Sequence, residues 1–336
     1  MARRCLLRVL LVALLSLSVL TPVKATWTED TSVGSTKNWR GITSSSDGTK
    51  LAAVANEGNI WTSANSGATW TEDTSVGSMK KWQGITSSSN GTKLAAVVNA
   101  GNIWTSTDSG ATWIEDASVG STKNWRGITS SSDGTKLAAV INGGNIWTSA
   151  NSGATWTEDT SVGSHKRWYG ITSSSDGTKL AAVAYTLNIW TSTNSGGTWT
   201  EDTSVGSTKY WNGITSSSDG TKLAAAVYGG NIWTSANSGA TWTEDTSVGS
   251  MKKWQGITSS SDGTKLAAVV NAGNIWTSTD SGATWIEDAS VGSTKNWRGI
   301  TSSSDGTKLA AVINGGNIWT SANSGATWTE DTSVGS

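Results

Sequence analysis

Ser63-Ala64-Asn65-Ser66-Gly67-Ala68-Thr69-Trp70 is the stretch whose reading decides the fold, because it does not occur once. Close copies end at Trp113, Trp156, Trp199, Trp242, Trp285 and Trp328, and the step is 43 residues each time. A fixed period in the 40s marks a repeat architecture, in which one supersecondary unit is copied and stacked on itself. The stretch also reads locally as a turn. Ser and Asn side chains can bond nearby backbone, Gly supplies a positive φ, and the β-branched Thr and aromatic Trp lead back into a strand.

Within one unit, Thr28 to Trp70, four strands are expected. Lys37–Thr43 is the first, and Ser46-Asp47-Gly48-Thr49 is a hairpin turn signalled by Asp-Gly. Leu51–Ala55 is a continuous apolar strand of the kind covered on both faces, and Asn56-Glu57-Gly58 reads as the next turn. Asn59–Thr62 and Trp70–Asp73 are the third and fourth strands. No segment has a helical period. Four short antiparallel strands in 43 residues have the size of a propeller blade, so the chain is expected to be all-β, a seven-bladed β-propeller of four-stranded antiparallel blades. A spare fourth strand at Trp27–Ser32 competes with Trp328–Ser333 to complete the last blade, and the sequence leaves both open. Residues 70–164 and 242–336 match except for Asn90 against Asp262, which points to duplication in blocks of blades.

The repeated turn resembles the Asp-box, Ser-x-Asp-x-Gly-x-Thr-Trp, of the bacterial neuraminidase (BNR) repeat. That repeat occurs in sialidases, sortilin-type receptors, some xyloglucan hydrolases and photosystem II stability/assembly factors. Asp108 and Asp280 keep the acidic residue, whereas Asn65 and its counterparts in the other repeats replace it. The resemblance implies a propeller in which Ser63, Asn65, Gly67, Thr69 and Trp70, with Asp108 and Asp280, are structural and lie away from the functional face.

The first 25 residues stand outside the repeat. Arg3 and Arg4 precede an apolar run from Cys5 to Leu20, and small residues flank Lys24 up to Ala25, the pattern of a secretory signal peptide cleaved after Ala25. The expected layout is a signal peptide at 1–25 and a propeller at 26–336, placing the mature chain outside the cytoplasm. Cleavage removes Cys5 and Pro22, the only cysteine and the only proline. It also removes four cations, leaving 20 against 25 acids and a net charge near −5, which is no footprint for nucleic acid. No further apolar run is long enough for a membrane span.

The residues argue against catalysis. The family's sialidases carry an arginine triad, a Tyr–Glu pair and an acid Asp, together with a Phe/Tyr-Arg-Ile-Pro motif that is absent here. Apart from Glu57, the carboxylates recur as repeat columns rather than as one dedicated pair. His165 is the sole histidine and has no partners at metal-ligand spacing, and the serine runs have no paired base. No catalytic residue, metal or cofactor is expected. Variation between repeats instead gathers in two segments, the entry to strand one and the turn after strand two, and both fall at one end of an antiparallel blade. The expected site is this rim, centred on Arg40, Tyr169, Tyr185, Tyr210 and Tyr228, and its ligand a protein or carbohydrate. The expected function is thus an exported, monomeric, non-catalytic binding module. A sialidase-like glycoside hydrolase and a photosystem II assembly-factor-like scaffold are the alternatives. Asn90-Gly91-Thr92 is an N-glycosylation sequon.

Overall fold

The computed structural model describes residues 37–77, 79–120, 123–163, 166–206, 209–249, 251–291 and 295–331. The leader expected at 1–25, the spare strand expected at Trp27–Ser32 and His165 lie outside the described residues. The first blade consists of β1 (Lys37–Ser44), β2 (Leu51–Gly58), β3 (Ile60–Ser63) and β4 (Thr71–Asp73), paired in sequence order and antiparallel. Six further blades repeat the order, giving 28 strands and no helix among the described residues. The first strands of successive blades touch one another around the whole ring, so they form the inner wall, and the short fourth strands lie outermost. The protein is a seven-bladed β-propeller.

Strand two is longer than the sequence suggests. Asn56–Gly58, expected as a turn, continues β2 because it pairs with the next blade's first strand, Asn56 opposite Lys81 and Gly58 opposite Lys80. The fourth blade is the exception. There strand two stops at Ala184, and Leu187 N–H closes a true turn onto Ala184 O at 3.1 Å.

The apolar strand Leu51–Ala55 is buried at every position because it meets a neighbouring blade on each face. Leu51, Ala53 and Ala55 join Trp39, Trp61 and Trp70 against Ala310, Val312 and Ile318 of the seventh blade. Ala52, Val54 and Ile60 pack on Trp82, Ile85 and Leu94 of the second. Alanines let the sheets approach closely, and tryptophan fills what remains. Trp39 and its six counterparts are wholly buried, which settles them as wedges between blades rather than as channel lining. Trp39 stands edge-on to Trp61 at 6.3 Å and donates its indole N–H to Gly316 O of the preceding blade at 3.0 Å. The Lys37 ammonium covers the Trp61 ring at 4.7 Å.

Among the described residues, ring closure uses no exchanged strand. Thr329–Asp331 pairs with Ile318–Ser321 of its own blade, so the chain's C-terminal end completes the seventh blade. The seventh and first blades join as the other neighbours do, the fourth and fifth excepted, through Lys37 opposite Gly316 and Asn38 opposite Asn314. A second seam runs along the Asp-Gly face. Ser46 N–H donates to Ser89 O, Ser89 to Ser132, and so on through Ser175, Ser218, Ser261 and Ser304, whose N–H returns to Ser46 O; each bond is 2.7 Å. The cycle is closed.

On the same face, Ser63–Trp70 ties β3 to β4. Ser63 Oγ accepts the Gly67 N–H at 2.9 Å, and Asn65 Oδ1 accepts the Thr69 N–H at 2.9 Å. Asn in place of Asp reverses one bond without losing it. Asn65 Nδ2 donates to Thr69 Oγ1 at 2.9 Å, whereas in the second blade Thr112 Oγ1 donates to Asp108 Oδ2 at 2.6 Å. Gly67 has φ +89°, and a Cβ there would lie 2.9 Å from Thr320 Cγ2 of the neighbouring blade. Gly67→Ala is therefore expected to lower stability by more than about 1 kcal/mol in a denaturant melt; an unchanged midpoint would remove the turn from the interblade contact.

The adjacent Asp-Gly turns set an acid limit. Asp47 is held at about 2, below its usual 3.8, chiefly by the Ser45 hydroxyl and then by the N–H and hydroxyl of Thr49, with Lys308 of the preceding blade adding to the effect. Asp133, Asp176, Asp219, Asp262 and Asp305 are held at about 2 in the same way. A carboxyl whose folded pKa is depressed stabilises the fold above its unfolded pKa and loses that contribution as pH falls through the folded value. Thermal midpoints should thus hold down to about pH 4 and fall between about pH 4 and 2. Each contribution is small, because the groups face solvent.

Candidate functional site

In every blade, strand one carries one residue too many for its partner. Trp39 pairs with Ala55 and Gly41 with Val54, so Arg40 is a bulge. The same shift recurs at Gln83, Arg126, Tyr169, Asn212, Gln255 and Arg298. A bulge bends its strand and re-aims the extra side chain. Here it puts seven side chains on the inner wall, where the chain approaches itself closely: a Cβ on Gly41 would meet Gly84 Cα at 3.4 Å.

These side chains form a belt. Arg126 Nη1 donates to Gln83 Oε1 of the preceding blade at 3.0 Å, and Arg298 Nη1 to Gln255 Oε1 at 3.2 Å. Asn212 Nδ2 bonds Trp254 O at 2.7 Å. Burial pulls the Arg126 guanidinium below its ordinary range; the Tyr169 phenol pulls the other way, and the Arg40 charge adds to the depression. Arg298 is lowered by burial and by the charges of Arg40 and Arg126, with Tyr228 opposing. The Nε atoms of Arg40 and Arg298 are buried without a hydrogen-bond partner among the described residues. The two rim segments hold one carboxylate among the described residues, the exposed Glu57. The result is a concentration of positive charge on a chain whose total charge is slightly negative.

The belt continues outward on one side only. The Arg126 guanidinium lies 4.4 Å over the Tyr169 ring. Tyr169 stacks on Tyr185 at 4.9 Å and 23°, and Tyr185 meets Tyr210 of the fifth blade at 4.8 Å and 36°. Arg167 reaches over Tyr185 at 5.3 Å. The irregular turn of the fourth blade makes this possible, since Tyr185 N–H bonds Arg167 O at 2.8 Å and Thr186 N–H bonds Lys209 O at 3.1 Å. Tyr210 is 46% exposed, which leaves the outer end of the stack accessible.

Of the five residues named from sequence, Tyr169, Tyr185 and Tyr210 come together. Arg40 lies across the channel within electrostatic reach of Arg126 and Arg298, and Tyr228 stands apart from the stack, on the side of Arg298. Sequence reasoning left Arg126, Arg167 and Arg298 off the site. The available signal was the repeat register, because Arg126 and Arg298 occupy the position of Arg40. The opposite face carries interblade clefts of up to about 300 Å³, lined by Lys136, Thr148, Ser149 and Ser195 or their counterparts. They recur at several interfaces with the same lining, so they follow from the repeat itself, whereas the tyrosine stack occurs once.

No family model and no curated protein matches the sequence. Solved structures match its fold. YCF48 from Cyanidioschyzon merolae is 17% identical with a TM-score of 0.67, over 90% of this chain and all of that one (100%). YCF48 bound to D1 peptide is 19% identical, TM-score 0.67, covering 87% of this chain and 95% of that one. A GH74 xyloglucanase from Xanthomonas campestris is 14% identical, TM-score 0.69, covering 91% of this chain and 56% of the enzyme. At such identities the likeness is one of fold.

A half-buried guanidinium beside other cations and no carboxylate costs stability. Arg298→Gln, which places there the chemistry of Gln255, is expected to raise the thermal midpoint by the equivalent of about 1 kcal/mol. A lower midpoint would mean that Arg298 has a compensating partner within the chain.

Proposed function

We propose that this protein is an exported, non-catalytic binding module whose rim takes an acidic segment of a protein or carbohydrate ligand. The observation that carries the reading is the continuity of the tyrosine stack with the arginine belt. A rigid aromatic surface gives contact area at small entropic cost, and guanidinium groups without carboxylates suit an anionic group. A peptide is the ligand favoured by likeness to YCF48 bound to D1 peptide, and the assembly-factor-like scaffold is one form of the same reading. The Asp-box resemblance of the Ser63–Trp70 turn is compatible with it, because that turn lies on the other face. Export rests on the leader at 1–25. The hydrolase alternative has fold likeness to the GH74 xyloglucanase on its side and would require Glu57 to act without a second rim carboxylate.

The test compares the parent with a Tyr169→Ala/Tyr210→Ala variant on peptide and glycan arrays. Loss of one anchor at a binding hot spot costs about 2 kcal/mol, or more than about tenfold in Kd. Binding should weaken at least that much with the thermal midpoint kept. Unchanged binding by a folded double variant would discard the rim. Hydrolysis of a chromogenic glycoside that disappears on Glu57→Gln would replace the binding reading with the hydrolase.

A further inference from the structure

Asn90 is the one amide among the seven Asp-Gly turns, the other six holding Asp47, Asp133, Asp176, Asp219, Asp262 and Asp305. It is also the only difference between residues 70–164 and 242–336, and it turns Asp-Gly-Thr into Asn-Gly-Thr. The side chain is exposed at the tip of its turn. Its oxygen is fully engaged: Oδ1 accepts from Ser88 Oγ at 2.8 Å, Thr92 N–H at 3.0 Å and Thr92 Oγ1 at 2.7 Å. Its nitrogen makes no hydrogen bond among the described residues, since the position that a second carboxylate oxygen fills in the other blades has here become a free NH₂. The Thr92 hydroxyl donates to the amide carbonyl, so the hydroxyl and amide of the sequon are already in contact. A competing fate, attack of the Gly91 nitrogen on the Asn90 amide carbon to form a succinimide, is opposed by the fold, because Gly91 N–H is held on Ser88 O at 2.9 Å.

We infer that Asn90 is a modification site, the acceptor of a single N-linked oligosaccharide on the face opposite the tyrosine stack. In the transfer, the bond from sugar C1 to the oxygen of a lipid-pyrophosphate donor breaks and a bond from C1 to Nδ2 forms. The amide gives up one proton and the lipid pyrophosphate departs. The glycan projects from the Asp-Gly face beside Lys50 of the first blade, whose side-chain carbons pack against Gly91. Rim and glycan therefore do not compete. The inference rests on the export reading and is independent of which ligand the rim takes.

The full chain, leader included, is expressed in a eukaryotic secretory host, and the secreted protein is treated with peptide-N-glycosidase in heavy-oxygen water. The expected result is a single step of mass loss, with heavy-oxygen aspartate found at position 90 alone. Asn90→Asp, which installs the residue of six other blades, should fold, lose the mass step and keep rim binding. Thr92→Ser keeps a sequon and should keep the glycan. A secreted chain that carries no glycan at Asn90, or only a deamidated Asn90, overturns the site and leaves export standing. A chain retained in the cell without glycan overturns export and the site together, while rim binding, measured on purified protein, stays a separate question.

Discussion

Seven peptide N–H groups, each given to a serine carbonyl of the neighbouring blade and the last returned to the first, fix how far the inner strands stand from the axis. A cycle of like bonds has no weakest end. The remaining geometry follows from this spacing. With the Asp-Gly ends of the first strands held together, Gly41 and its counterparts must be glycine where they near one another, and the strand must bulge immediately before them. The bulge turns residue 40 of each repeat inward. The chemistry of the rim is thus a consequence of how the ring is drawn shut on its other face.

Division of labour between the two faces explains why the repeats are nearly identical in some columns and not in others. On the Asp-Gly face side chains reach across to the neighbouring blade: Lys50 Nζ reaches Ser109 Oγ at 3.1 Å, and Gly67 lies against Thr320. A change there is felt at an interface. At the rim the backbone ladders, Asn56 to Lys81 and its equivalents, secure the blades without using side chains. Side chains at residues 38, 40 and 56 of the repeat are therefore free to differ, and Tyr, Arg and Gln have accumulated there.

Much of this was legible in the sequence. The period, the four strands and the two conserved turns were set by local rules, in which Asp-Gly and Ser-x-Asn-Ser-Gly specify turns whatever surrounds them. The wedge position of Trp39 was legible only as the better of two readings, because a tryptophan flanked by polar residues suits both a channel wall and an interblade seam until the Gly316 carbonyl that takes its N–H is in place. Asn56–Gly58 read as a turn because its pairing partner belongs to another repeat, which no local pattern shows. The tyrosines were chosen as departures from the repeat, yet their stacking depends on the irregular turn at Tyr185–Leu187. Arg126 was passed over for a related reason: a residue that recurs in its column looks structural, although in a closed ring equal columns converge on one point.

Among the described residues each blade is a continuous piece of chain, and the seventh draws its fourth strand from the stretch that follows its third. Most native contacts therefore join residues within a blade or in the next one, and the pairing of the first strand with the seventh blade is the long-range exception. Such a chain can acquire structure progressively as it emerges, each blade templating the one after it, with the entropy of loop closure paid once at the end. Nearly interchangeable interfaces carry a hazard in that process, since a blade can dock on the wrong neighbour with almost correct chemistry. The departures that mark the rim, above all the broken ladder of the fourth blade, also give the folding chain a register by which to count.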